Sequence, residues 1–116
     1  MLLIVEDNWG VLISYRNYLS TLRMVEGIDY VYARSYSEVA DFFADYQDQI
    51  KAVIVDHELE GRKTGLDVIN SIRRNEDPKI KIIACSTFME RNYPNNIPFF
   101  NRLELREAVD FALKFL

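Results

Sequence analysis

The stretch Ala52-Val53-Ile54-Val55-Asp56-His57-Glu58-Leu59 decides the reading of this chain. Four apolar residues run without a break into an acid. A short unbroken apolar run suits a strand of a parallel sheet, because helices cover both faces and no side chain is left for water. Two other stretches have the same form: Leu2 to Val5, followed by Glu6-Asp7-Asn8, and Ile82 to Cys85, followed by Ser86. A fourth, short aromatic and β-branched run spans Tyr30 to Ala33, and a fifth spans Ile97 to Phe100. Pro98 confines that fifth run to a sheet edge.

Helical spacings lie between the runs. Val11, Leu12, Tyr15, Tyr18, Leu19 and Leu22 recur at intervals of three and four, with Asn8 as N-cap and Gly27 as stop. Ser35 and Glu38 have capping-box spacing ahead of Val39, Phe42, Phe43 and Tyr46. Gly65 opens a third pattern, Leu66, Val68, Ile69 and Ile72, which stops before Asp77-Pro78. The last runs through Leu105, Ala108, Val109, Ala112, Leu113 and Leu116, with Asn101 and Glu104 as its cap pair. Strands alternating with helices predict right-handed crossovers and a doubly wound α/β sheet with helices on both faces.

Composition bounds the function. The 116 residues suffice for one domain and not for two ordinary ones. At 49% hydrophobic and 28% charged, the usage is that of a folded chain rather than a disordered one. A net charge of −4 without any basic block argues against direct nucleic-acid binding. The single Cys85 and single His57 exclude an internal disulfide and a Cys/His zinc cluster, and a reducing cytoplasmic setting is expected. No apolar run is long enough for membrane insertion.

Ligands of doubly wound sheets gather at the carboxyl ends of strands where the strand order reverses. Glu6 and Asp7 end the first strand and Asp56 ends the third. If those strands are neighbours, three carboxylates meet in one crevice, repel, and call for a hard divalent cation such as Mg²⁺. Ser86, at the end of the next core strand, offers a hydroxyl to an oxyanion held there. This set suits phosphoryl transfer to a carboxylate.

In these residues the chain resembles the receiver domains of bacterial two-component response regulators, over nearly its whole length. LLIVEDN resembles the family's acidic-pair strand, AVIVDHEL the phosphoacceptor strand, TGLDVINSIRR the glycine and third helix, and KIIACST the strand that ends in a switch hydroxyl. The resemblance implies a flavodoxin-like five-stranded parallel sheet of order 2-1-3-4-5 and a single receiver domain over residues 1–116 without an output domain. It implies that Asp56 accepts a phosphoryl group and that Ser86 turns toward it. Glu6, Asp7, Asp56 and the backbone carbonyl of Glu58 would hold Mg²⁺. The implied partners are a histidine kinase or phosphotransfer protein and a downstream protein, and a homodimer is compatible. The implied role is signalling rather than enzymatic turnover.

Four departures stand out. The family lysine at the end of the fifth strand is missing, since no Lys occurs between Lys81 and Lys114. Arg102 is the nearest cation, and its guanidinium either reaches the pocket or faces water. The segment between Ser86 and Asn101 is too short for the usual fourth helix, which is expected to be a stub or absent. Thr87 stands where the family has a small residue, and its branched side chain is expected to slow access to the acceptor. Phe99 or Phe100 would stand for the family's aromatic switch.

Two other classes share parts of this pattern. A degenerate receiver would bind partners independently of phosphorylation. A phosphatase of the haloacid-dehalogenase type would need a second Asp two residues beyond the nucleophile, where this chain has Glu58.

Overall fold

Side-chain alternation along the strands accounts for the layers. The computed structural model describes residues 1–59, 61–87, 93–94 and 96–116. Its strands are β1 (Leu2–Val5), β2 (Tyr30–Ala33), β3 (Ala52–Val55), β4 (Lys81–Ser86) and β5 (Phe99–Asn101), all parallel in the order β2-β1-β3-β4-β5. The helices are α1 (Trp9–Thr21), α2 (Tyr36–Tyr46), α3 (Gly65–Asn75) and α4 (Leu105–Leu113). Leu3, Val5, Val53, Val55 and Ala84 point into a core roofed by α2 and α3. Their neighbours Leu2, Ile4, Ala52, Ile54, Ile83 and Cys85 point the other way, beneath α1 and α4. Both faces of β1 and β3 are therefore sealed, as the unbroken apolar runs require.

The helix and strand ends follow the expected chemistry with three corrections. Asn8 caps α1 by accepting from the Val11 N–H at 3.1 Å. However, α1 stops at Thr21, well before Gly27. The Arg23 N–H donates to the Ser20 carbonyl and the Met24 N–H to the Leu19 carbonyl, each at 3.0 Å. Arg23 adopts the left-handed conformation (φ 60°), so a non-glycine residue closes the helix. Gly27 (φ 86°) instead makes the turn into β2.

Secondly, Glu38 completes no reciprocal box with Ser35. The Ser35 hydroxyl accepts from the Glu38 N–H, but the Glu38 carboxylate accepts from the Arg34 N–H at 2.6 Å. Thirdly, β5 begins at Phe99, not Ile97, so Pro98 precedes the strand. There its missing N–H removes no ladder bond, while its carbonyl accepts from the Ala84 N–H at 2.9 Å.

The Asn101 and Glu104 cap pair forms as expected, around a 3₁₀ turn (Arg102–Glu104) that leads into α4. Thr64 and Asp67 make a capping box on α3. The expected stub in place of the family's fourth helix falls on residues 88–92, outside those described. Among the described residues, no helix is long and apolar enough to cross a membrane.

Cys85 lies on the α1/α4 side of β4 at 2% exposure, and burial pushes its thiol from 9.0 up to about 11. A thiol reagent at pH 8 is therefore expected to leave native protein unlabelled and to label it fully in denaturant. The sign for stability follows. The folded thiol ionises later than the unfolded one, so its contribution is intact below pH 9 and is lost as pH rises toward 11. Rapid native labelling at pH 8 would contradict this packing.

Candidate functional site

The register of the central strands builds the site. β1 and β3 pair Val5 with Val55, and the ladder continues one step through the Asp56 N–H to the Val5 carbonyl at 2.9 Å. Glu6 and Asp56 thus leave adjacent strand ends side by side. By the alternation of the strands they follow Ile4 and Ile54, toward the side of α1 and α4. Their exposures are 1% and 2%, and Ser86 at the end of β4 is fully buried. Asp7 is half-buried, whereas Glu58 and Thr87 are exposed. Glu58 pairs with Thr64 in an isolated antiparallel bridge on the loop after β3.

Each carboxylate has distinct partners. One Glu6 oxygen (Oε2) accepts the backbone N–H groups of Asp7 at 3.1 Å and Asn8 at 3.2 Å, which pins the turn into α1. The other, Oε1, lies 3.5 Å from Arg102 Nη2, and the same nitrogen donates to Asp56 Oδ2 at 3.1 Å. Asp56 Oδ1 is buried and finds no hydrogen-bond partner. The guanidinium of Arg102 therefore reaches the pocket, which settles the alternative left open by the sequence.

Electrostatics follow from burial. Loss of water pushes the Glu6 carboxyl up to about 8, and the neighbouring charge of Asp56 adds to the rise. Burial also raises Asp56, against the opposing effects of Glu6, Arg102, the His57 backbone and the Ser86 hydroxyl. The two buried acids thus share a single guanidinium.

Gly65 sets the floor of the site. A Cβ placed there would stand 2.0 Å from the Asp56 carbonyl oxygen and 2.9 Å from its carbon, while the Gly65 N–H donates to the His57 carbonyl at 2.8 Å. The first turn of α3 thus presses directly on the backbone of Asp56 and His57, which only a residue without a side chain permits.

Tyr93 walls the site on the β4/β5 side. It is buried at 6%, with its ring edge-on to His57 at 5.9 Å and tilted against Phe99 at 5.8 Å. Phe99 and Phe100 are both half-buried, and Phe100 packs against Phe111 of α4. Arg34 at the end of β2 donates to the Asp7 carbonyl at 3.2 Å and stacks 4.4 Å over the Trp9 ring.

One oxygen from each of Glu6, Asp7 and Asp56 lies within 4.8 Å of the others. All are hard oxygen donors, and Asp56 Oδ1, buried without a hydrogen-bond partner, has lone pairs available to a cation. The donor set fits a hard divalent cation. Glu6, Asp7, Asp56 and Ser86 were legible from the strand ends. Tyr93 and Arg34 were not: Tyr93 lies in an aperiodic Pro/Asn stretch, and Arg34 was hidden because its role depends on contacts across strands.

The sequence matches no established family profile. It matches no curated protein either. Among solved structures it resembles the receiver domain of NtrX from Brucella abortus, with a TM-score of 0.75 at 17% identity over 100% of both chains. It also resembles a CheY-like response regulator receiver domain from Methylobacillus flagellatus, with a TM-score of 0.70 at 20% identity over 97% of this chain and 94% of that one. The PhyR receiver domain of Erythrobacter litoralis aligns at 0.71 and 20% identity, over 98% of this chain and 89% of that one. The fold is that of response-regulator receiver domains, with the flavodoxin-like strand order 2-1-3-4-5.

Proposed function

We propose that residues 1–116 act as a signalling receiver in which Asp56 accepts a phosphoryl group from a histidine kinase or phosphotransfer protein and thereby alters affinity for a protein partner. One observation carries this reading: a buried carboxylate at the end of a central strand, with one oxygen unpartnered, beside two further acids and a strand-end hydroxyl. An oxygen of Asp56 attacks the phosphorus of a phosphohistidine. The O–P bond forms as the N–P bond breaks, and the leaving imidazole nitrogen keeps the electron pair and takes a proton from solvent. Glu6, Asp7, Asp56 and the Glu58 carbonyl would hold Mg²⁺, which when bound supplies positive charge for the carboxylates and the phosphoryl oxygens. Ser86 would donate to one phosphoryl oxygen, and exposed Thr87 beside it would slow access.

Incubation with Mg²⁺ and acetyl phosphate, followed by intact mass measurement, tests the reading. A single phosphoryl adduct is expected on the wild type and none on Asp56→Asn. An adduct that survives the substitution, or no adduct on the wild type, would overturn it.

A second reading, a pseudo-receiver that binds partners without phosphorylation, is favoured by the missing family lysine and by Arg102 lying across the acids. Amide spectra unchanged by beryllofluoride and Mg²⁺ would select it.

A further inference from the structure

We propose that Arg102 is a built-in plug of the acid pocket: its guanidinium fills the cation's role between Asp56 and Glu6, so that a divalent ion binds only by displacing it. The inference rests on the metal-binding reading of these carboxylates and adds a competitor drawn from the chain itself.

Three features carry it. A single nitrogen, Nη2, serves both carboxylates at 3.1 and 3.5 Å, while the buried Nε has no hydrogen-bond partner. An arginine committed to a permanent buried ion pair normally engages a carboxylate with both arms of its fork. This one holds the pocket by one arm, a contact that can be given up.

The backbone beneath it is independently secured. Asn101 accepts from the Leu103 N–H at 2.9 Å, and the Glu104 carboxylate accepts from the Asn101 N–H at 3.0 Å. The 3₁₀ turn therefore keeps its shape whichever way the side chain points.

There is also somewhere for the side chain to go. Its exposure is 27% against 2% for the two acids, and it lines an open groove of about 850 Å³ between α1 and α4. Ser14, Asn17 and Glu107 line the same groove. The groove is open to solvent, so leaving the pocket does not strand the charge.

Competition between two cations for one pair of acids has a direct consequence. Removing the guanidinium deletes a bound competitor, so the pocket should take up metal more readily. Removing a positive charge elsewhere on the same surface changes only the long-range field, which salt screens.

Isothermal titration of Mg²⁺ at fixed ionic strength, on wild type, Arg102→Ala and Arg106→Ala, tests this. Arg102→Ala is expected to bind Mg²⁺ about tenfold more tightly than wild type, the size of one charge-assisted contact. Arg106→Ala, whose exposed guanidinium lies over Tyr18, is expected to change affinity by less than about twofold.

In the wild type, the side-chain nitrogen resonances of Arg102 should shift along the same Mg²⁺ saturation curve. That measurement needs no variant and decides the matter if Arg102→Ala does not fold. Equal or weaker binding by Arg102→Ala, an equal gain in Arg106→Ala, or Arg102 resonances unmoved at saturation would overturn the plug and leave the metal site standing. No Mg²⁺ binding to wild type or Arg102→Ala would overturn the metal reading and the plug together.

Discussion

Gly65→Ala is expected to destabilise the protein by about 3 kcal/mol or more, the range of a severe steric conflict in a packed interior. The added methyl would meet backbone, not a side chain that can rotate away: the Asp56 carbonyl oxygen at 2.0 Å and the His57 Cα at 3.0 Å. Relief requires α3 to lift off the end of β3. That movement would break the Gly65 to His57 hydrogen bond and shift the acid that the site depends on. Urea unfolding measures the loss, and a midpoint within error of wild type would show that α3 does not press on the loop after β3. Gly27→Ala makes an informative contrast. Its Cβ would meet nothing within 4 Å, so its cost comes only from the left-handed backbone (φ 86°) and should be about 1 kcal/mol.

Ile54→Ala is expected to cost about 3 kcal/mol through the lost burial and the cavity left behind. Ile54 is 1% exposed in β3, the middle strand, and packs with Leu2, Ile4, Tyr15, Ile83 and Ala108 beneath α1 and α4. Strands on both sides are hydrogen-bonded to β3, so the backbone has little freedom to collapse into the void. Ile13→Ala, on α1 with Ile13 at 52% exposure, should lie within about 0.5 kcal/mol of wild type. Equal midpoints for the two variants in chemical denaturation would refute the assignment of the core to the α1/α4 side of the sheet.

The same contacts hold the site in place. Asp56 is positioned from below by the close approach of Gly65 and from behind by the ladder bond to Val5. Glu6 is held by the turn that begins α1 and Arg102 by the turn that begins α4. Four elements thus converge on one crevice at the carboxyl end of the sheet, where a parallel α/β fold gathers its ligands.

Much of this is legible in the sequence. The apolar runs at Leu2 to Val5 and Ala52 to Val55 marked strands sealed on both faces, and the acids that follow them marked the strand ends. Asn8, Ser35 and Asn101 stood where helix starts need a side-chain oxygen. Less legible was anything set by geometry between distant segments. The end of α1 was expected at Gly27, yet Arg23 takes the left-handed position, because the Schellman bonds to Leu19 and Ser20 stabilise a conformation that arginine alone disfavours. Pro98 marked an edge correctly but sits one residue ahead of β5.

By itself the sequence determined the alternation of strands and helices, the acids at the strand ends and the absence of the family lysine, because these are properties of periodicity and residue type within short windows. Only the tertiary structure decided which cation answers the acids. Arg102 lies 46 residues from Asp56 along the chain, and whether it meets water or a carboxylate depends on how one 3₁₀ turn is rotated against the ends of β1 and β3. No local pattern encodes that rotation. It follows from the packing of α4 on the sheet and from the desolvation of two carboxylates that draws a counter-charge toward them.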